Sequence, residues 1–324
     1  MSFGLGLAII ALLLNRLDIN VAQALRAIGQ ADGRLVLLAV GLYYTTFLAR
    51  GLRWQVMLRN AGLTPPPSLF LGLVVFLSWF ANCLVPAKLG DVYRAYLLKK
   101  HRNISASFAG GTIIAERLID LSFVLLLSGA AVLIIFPSRV PDGVVPVLVV
   151  SGVAVLGAGV ALLSLRRWEA AIARFLPRRA RGIFDRFRGG TVAAFGSYPS
   201  LAVLTVLAWA AEIARFWLVA HSLALFDAEP MVQQIAIATF VALGSAIFTT
   251  AAPTPGGLGA AELAIVGALA LTGRVGEIAV GAALLDRLIS YWSLIALGLI
   301  PFLAWEIRSA PVLAVAGVSR AHRD

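Results

Sequence analysis

The sequence predicts an all-α polytopic membrane protein with inverted-topology repeats, about six full spans and two re-entrant helical hairpins. Of its 324 residues, 60% are hydrophobic and 13% are charged, and the mean hydropathy is +0.92, whereas a soluble domain is roughly half apolar and about one quarter charged. The apolar residues form long blocks between short charged stretches, which is typical of bilayer-spanning helices. Two short motifs also recur at nearly the same spacing, which indicates an internal duplication.

The apolar blocks give the order of the predicted elements. A full span needs about 20 apolar residues, so not every block is a span. We expect spans at 3–14, 35–49, 105–136, 144–165, 198–226 and 278–305, and re-entrant hairpins at 68–98 and 231–271. We predict one integral membrane domain, 1–324, with a first repeat half at 1–143, a second at 144–306 and a cytoplasmic tail at 307–324.

The duplication is visible in two pairs of motifs. Pro-Ala-Lys-Leu-Gly at 86–90 recurs 169 residues later as Pro-Gly-Gly-Leu-Gly at 255–259. Glu-Arg-Leu-Ile at 116–119 recurs 170 residues later as Asp-Arg-Leu-Ile at 286–289. Either match alone could arise by chance in a chain this rich in Leu and Ala, but the shared offset favours duplication.

The basic residues orient the predicted spans. Of the 27 basic residues 24 are Arg, and the net charge is +11. With both termini cytoplasmic, 19 basic residues lie on the cytoplasmic side and five outside, as the positive-inside rule requires. This assignment counts Arg50, Arg53, Lys88 and Arg94 as cytoplasmic and leaves three within spans, Arg117, Arg215 and Arg287. We expect a multi-pass protein of the cytoplasmic (inner) membrane that binds no nucleic acid.

Ionisable side chains inside apolar blocks are the first candidates for a site. At mid-bilayer each costs about 2.5–3.5 kcal/mol and is normally functional or paired. Helical spacing brings Glu116, Arg117 and Asp120 to one face, and Glu212 and Arg215 stand in the same i, i+3 relation. They are either structural ion pairs or groups that also contact a polar lipid headgroup in transit.

The two proline-glycine breaks are the second candidate feature. A helix that starts near Gly90 after Pro86 would direct free backbone N–H groups at a phosphate, and Gly256, Gly257 and Gly259 after Pro255 would do the same. Alternatively, these small residues only permit tight helix packing. Asp91 and Arg94 form either a headgroup receiver at the cytoplasmic mouth or a solvated pair. Six tryptophans lie in or near the predicted spans, and those near span ends are predicted belt residues; the six are Trp54, Trp79, Trp209, Trp217, Trp292 and Trp305.

These residues also carry a family resemblance. Asn82-Cys83-Leu84-Val85-Pro86 with Gly90, Asp91 and Arg94, the group Glu116, Arg117 and Asp120, and the run Pro253–Gly259 with Glu262 resemble the lysylphosphatidylglycerol synthase transmembrane, or flippase-like, family. The similarity covers essentially the whole chain. That family includes the membrane half of two-part enzymes that make aminoacylated phosphatidylglycerol and move it to the outer leaflet. We expect no synthase half here, so the resemblance implies only the translocation activity.

The predicted function is translocation of a polar-headgroup phospholipid or related lipid through a cleft between the repeats. The alternatives are an intramembrane enzyme acting on a phospholipid or polyprenyl-linked substrate, and a membrane scaffold for a cytoplasmic lipid-modifying enzyme. Metal-ligand spacing, a P-loop and hydrolase motifs are missing from the sequence, so we expect no cofactor, no metal and no catalytic residue; the partners are membrane lipids. The candidate substrate-binding residues are Asn82, Pro86, Gly90, Asp91, Arg94, Glu116, Arg117, Asp120, Glu212, Arg215, Pro255, Gly256, Gly257, Gly259, Glu262, Asp286 and Arg287.

Overall fold

The structure, a computed structural model, describes residues 20–86, 88–167, 177–196, 198–226 and 229–309, together with residues 4, 6 and 8. Its elements in chain order are α1 Val21–Gly29, α2 Gly33–Asn60, α3 Ser68–Leu84, α4 Leu89–Arg102, α5 Ala106–Ile135, α6 Val144–Arg167, α7 Arg178–Ala193, α8 Tyr198–Ser222, α9 Met231–Ala251, a 3-10 turn Pro255–Gly257, α10 Ala260–Leu271, α11 Glu277–Arg287, a π-helical turn Leu288–Trp292 and α12 Ser293–Ser309. The all-α polytopic prediction is confirmed.

Six of the described segments are long and apolar enough to cross a membrane. They are Gly33–Asn60, Ala106–Ile135, Val144–Ala161, Pro199–Ser222, Met231–Ala251 and Glu277–Trp305. The predicted span at 3–14 lies largely outside the described residues. The segment Met231–Ala251, predicted as part of the second re-entrant hairpin, is one of the six, since its 21 residues are long enough to cross. The shorter apolar helices are Ser68–Leu84 and Pro255–Leu271.

Local sequence explains where the helices begin and how closely they cross. The side chains of Asn20 and Asp32 cap α1 and α2 by accepting backbone N–H bonds of 3.3 and 2.8 Å. The helices α2 and α3 cross at two glycines, where a Cβ on Gly51 would stand 2.5 Å from the backbone nitrogen of Gly72. Small residues therefore set this interhelical distance, as they do in many membrane bundles.

The helix contacts of the first part of the chain are repeated in the second. In the first unit, defined here as α1–α5, α3 packs on α4 and α4 on α5; in the second unit, α7–α12, α9 packs on α10 and α10 on α11. Between the units, α1 packs on α11 while α7 packs on α5, and α3 packs on α12 while α9 packs on α5. Each of these contacts therefore has a counterpart when the two units are exchanged.

The long helices α2 and α8 form the centre of this arrangement and run antiparallel to each other. Three contacts along the pair fix the direction: Asp32 N–H to the Ser222 carbonyl at 3.0 Å, Arg50 to Glu212 at 3.4 Å, and Arg53 to Thr205 at 3.0 Å. Residue numbers rise along α2 as they fall along α8. The contacts thus show that α2 and α8 point in opposite directions.

Candidate functional site

The first break separates α3 from α4 and is held by its own polar groups. The Asn82 side chain accepts a hydrogen bond from the N–H of Gly90 at 2.8 Å. A Cβ on Gly90 would lie 2.0 Å from the Ser78 carbonyl oxygen, so the helix N-terminus is pressed against α3. Because Asn82 takes the Gly90 N–H, the expectation that this donor is free for a phosphate is wrong. The alternative, that glycine permits close packing here, is confirmed for this residue.

The second break lies between α9 and α10 and needs glycine for its backbone. Gly256 has φ +56°, and a Cβ there would stand 2.5 Å from the Tyr291 ring. The Glu262 side chain accepts the N–H of Gly259 at 2.7 Å, so that donor is not free either. Arg287 donates to the Gly256 carbonyl at 2.9 Å and to Glu262 at 3.0 Å. The break is therefore tied to α11 through one arginine.

A buried ionic cluster around Arg53 joins α2 to α5. The guanidinium of Arg53, fully buried, donates to Asp120 at 2.6 and 2.9 Å and to Glu116 at 3.0 Å. The other Glu116 oxygen lies 2.9 Å from Arg94, whose guanidinium stacks 3.8 Å from the centre of the Trp54 ring. Pairing offsets the large desolvation penalty of burying these charges.

A second cluster around Arg215 joins α8 to α11. Arg215 contacts Asp286 and lies 3.2 Å from Glu212, which confirms the predicted i, i+3 pair. Arg50, between the clusters, lies 3.4 Å from Glu212 and 3.9 Å from Asp120. One continuous ionic network thus connects the two units.

The arginine of each repeated motif pairs with an acid on the short helix that follows the break. Arg117 on α5 makes bonds of 2.8, 2.9 and 3.1 Å to both oxygens of Asp91 on α4. Arg287 on α11 makes its 3.0 Å bond to Glu262 on α10. The repeated Glu-Arg and Asp-Arg motifs therefore occupy equivalent positions and make equivalent contacts.

A cavity opens between the units at this network. It encloses about 1270 Å³ of empty space, its open mouth included. Five cations and three carboxylates line it, namely Arg50, Lys88, Arg117, Arg215, Arg287, Asp120, Glu212 and Asp286. Aromatic and aliphatic side chains form the rest of the wall. Tyr291 donates to the Cys83 carbonyl at 3.1 Å where the two breaks meet.

The structure brings nine of the predicted site residues to the wall of this cavity. These are Asn82, Arg117, Asp120, Glu212, Arg215, Gly256, Gly257, Asp286 and Arg287. The other eight, Pro86, Gly90, Asp91, Arg94, Glu116, Pro255, Gly259 and Glu262, lie outside the lining set, where several hold the lining groups in position.

Three pairings and placements differ from the sequence prediction. Asp91 and Arg94 are not a pair with each other, since Asp91 binds Arg117 and Arg94 binds Glu116. Arg117 accordingly does not pair with Asp120 on its own helix. Arg50, Arg53 and Arg94, assigned above to the cytoplasmic side, are at most 2% exposed and belong to the network.

Sequence reasoning also missed lining residues. Arg50 and Lys88 line the cavity, and Trp79 and Trp209 flank the guanidinium of Arg50 at 4.7 and 5.5 Å. One signal was available: Arg50 and Arg53 stand three residues apart, as Glu212 and Arg215 do. That spacing places both arginines on one helix face toward a common partner.

Comparison with known proteins identifies a family of membrane proteins. The family described as "Lysylphosphatidylglycerol synthase TM region" matches residues 3–298. A UPF0104 membrane protein of Methanocaldococcus jannaschii is 31% identical over 224 residues, which are 69% of this chain and 93% of that protein. A second UPF0104 membrane protein, from Methanothermobacter thermautotrophicus, is 26% identical over 307 residues, 86% of each chain.

A third relative carries an enzyme's name. The glycosyltransferase AglD of Haloferax volcanii is 33% identical over 126 residues, which are 39% of this chain but 20% of AglD. No solved structure gives a significant match. The family match covers nearly the whole chain, so this protein belongs to the lysylphosphatidylglycerol synthase TM region family.

Proposed function

We propose that this protein translocates a lipid with a polar headgroup between the two leaflets of the cytoplasmic membrane, with both of its termini in the cytoplasm. The headgroup passes through the cavity while the acyl chains stay in the bilayer. The observation that carries the proposal is the large cavity lined by eight charged side chains between two sets of apolar helices. Charges at such depth are expensive and normally serve a polar substrate or each other.

The repeated architecture supports a carrier. We infer that the two units are inverted repeats and that the two breaks are re-entrant, since α2 and α8 are equivalent helices that run antiparallel. Carriers built in this way open a central site to one side and then the other by rocking one repeat against its mate. The ionic network lies at the interface that such rocking would change.

The pairing suggests how the charged residues are used. Arg117, Arg215 and Arg287 already hold carboxylates, so a phosphate would enter by sharing these donors. The carboxylates Glu116, Asp120, Glu262 and Asp286 keep the arginines charged and positioned while the cavity is empty. In this proposal the ion pairs are both structural and functional.

An intramembrane enzyme is the second candidate, favoured by the match to AglD. In that case Asp120 or Asp286 would act as a general base at the cavity wall on a lipid-linked substrate. The AglD match covers 20% of that protein, so the shared segment accounts for only a small part of an enzyme. The third candidate is a membrane partner for a cytoplasmic lipid-modifying enzyme.

Reconstitution separates the candidates. The purified chain is placed in liposomes containing fluorescent phosphatidylglycerol, leaflet accessibility is followed with a membrane-impermeant quencher, and the lipid is then analysed by mass spectrometry. Movement of unchanged lipid supports the carrier, and a new lipid product supports the enzyme. If neither is observed, the membrane-partner candidate remains. The Arg117→Gln variant should abolish movement, whereas Arg139→Gln, which removes a charge at a position whose side chain is 83% exposed, should not.

A further inference from the structure

The ionic network around the cavity contains equal numbers of arginines and carboxylates. Six arginines, Arg50, Arg53, Arg94, Arg117, Arg215 and Arg287, meet six acids, Asp91, Glu116, Asp120, Glu212, Glu262 and Asp286. Every one of these acids lies within salt-bridge distance of at least one arginine. The network is therefore neutral when all twelve groups are charged.

Lys88 is a cation in addition to these twelve charged groups. It lies at the first break, just before α4, and its side chain lines the cavity. Within the described part of the chain, none of the ion pairs around the cavity includes Lys88. Its backbone has φ +55°, a conformation uncommon for a residue with a side chain and worth attention at a functional site.

Arg50 retains unused donor capacity in the same cavity. Its ion pairs are long, at 3.4 and 3.9 Å, and its Nε has no hydrogen-bond partner although the residue is only 2% exposed. The rings of Trp79 and Trp209 hold the guanidinium from two sides. A buried guanidinium nitrogen without an acceptor is costly, and an anionic ligand in the cavity would supply one.

The carboxylates on the cavity wall, unlike Lys88 and Arg50, already have close partners. The three carboxylates on the wall, Asp120, Glu212 and Asp286, each already contact an arginine. A cationic amine in a headgroup would have to take one of these carboxylates from its arginine, whereas a phosphate meets cations that are not fully used. Cations exceed carboxylates on the wall by two.

Resting on the proposed function, we propose that Lys88 and Arg50 form an anion-binding subsite and that the substrate class is a lipid with a net anionic phosphate headgroup. A zwitterionic lipid such as phosphatidylcholine brings its own cation, which the wall has no free carboxylate to receive. Lys88 binds the phosphate directly, and Arg50 donates its free Nε–H to the same anion. Arg117, Arg215 and Arg287 keep their carboxylates and share their donors with the anion once it is bound.

The test measures binding separately from transport. The full chain in detergent is titrated calorimetrically with short-chain phosphatidylglycerol, short-chain phosphatidylcholine and inorganic phosphate. We expect phosphatidylglycerol to bind at least about tenfold more tightly than phosphatidylcholine, and Lys88→Gln to weaken phosphatidylglycerol by about tenfold or more, the effect of one charge-assisted hydrogen bond. Lys88→Arg should retain binding. Lys99→Gln, on the exposed face of α4, is the matched control and should bind as the unaltered chain does.

Each outcome decides a defined point. Equal affinity for the two lipids overturns the proposal even if Lys88→Gln does not fold, and so does unaltered phosphatidylglycerol binding by a folded Lys88→Gln. Binding of inorganic phosphate as tight as that of phosphatidylglycerol overturns the lipid as ligand. Selective binding without movement in liposomes overturns the proposed function but supports the anion-binding subsite. Movement of both lipids at equal rates, unaffected by Lys88→Gln, supports the proposed function but overturns the subsite.

Discussion

Removal of the Arg53 guanidinium provides a direct test of the ionic network. Arg53→Met keeps an unbranched apolar stem but deletes a fully buried cation that donates at 2.6 to 3.0 Å to Asp120, Glu116 and Thr205. Breaking a buried pair by removing one partner costs about 3–5 kcal/mol. The long 3.9 Å contact of Arg50 with Asp120 offers little compensation, so we expect a loss in that range.

The assay is reversible unfolding of the purified protein in mixed micelles, followed by circular dichroism. Arg59→Met removes the same charge from an exposed position on the same helix and should change the free energy of unfolding by less than about 0.5 kcal/mol. The double variant Arg53→Met with Asp120→Asn, which also removes the carboxylate charge that has lost its closest partner, should recover part of the loss. Equal stability of Arg53→Met and Arg59→Met would refute the reasoning.

Three further predictions concern packing and helix direction. Gly90→Ala should destabilise the fold by roughly 1–3 kcal/mol because the new methyl meets a carbonyl at 2.0 Å, whereas Gly129→Ala, with nothing within 4 Å, should be neutral or stabilising; equal melting temperatures would contradict this. Tyr291→Phe should lower the free energy of unfolding by about 1 kcal/mol because it removes the hydrogen bond to the carbonyl at the end of α3. The loss should be measurable as faster amide hydrogen exchange in the π-helical turn, and unchanged exchange would count against the link between the two breaks. Cysteines introduced at Asn60 and Gly196, whose Cβ atoms would stand 3.0 Å apart, should form a disulfide in a chain without its native cysteine. The disulfide would be seen as altered gel mobility, which neither single variant should show. If α2 and α8 were parallel, the two cysteines would remain reduced.

The membrane class and the location of the site could be predicted because charge inside apolar sequence is conspicuous. The repeated Glu116-Arg117 and Asp286-Arg287 motifs and the break at Pro255 led directly to the region where the cavity lies. These features are local in sequence. Their meaning depends only on the cost of leaving a polar group in hydrocarbon.

The partners of these charges could not be predicted because they come from other helices. Helical spacing pairs Arg117 with Asp120, but the structure pairs Arg117 with Asp91, which lies on α4. Arg50 was missed because the apolar block ends at residue 49 while the helix continues to Asn60. A residue beyond an apolar block resembles a loop residue until the packing of α2 on α8 is known.

The peripheral position of α6 has a consequence for how the protein assembles. Only 6% of the residues in its most apolar window, Val144–Ala161, are buried, so the described part of the chain covers little of this helix. In the inverted-repeat arrangement proposed above, α6 is one extra crossing of the chain, and this crossing turns the second unit over relative to the first. If α6 were deleted, both units would enter the bilayer in the same orientation. The helices α2 and α8 could then not pair antiparallel, even if each unit folded correctly.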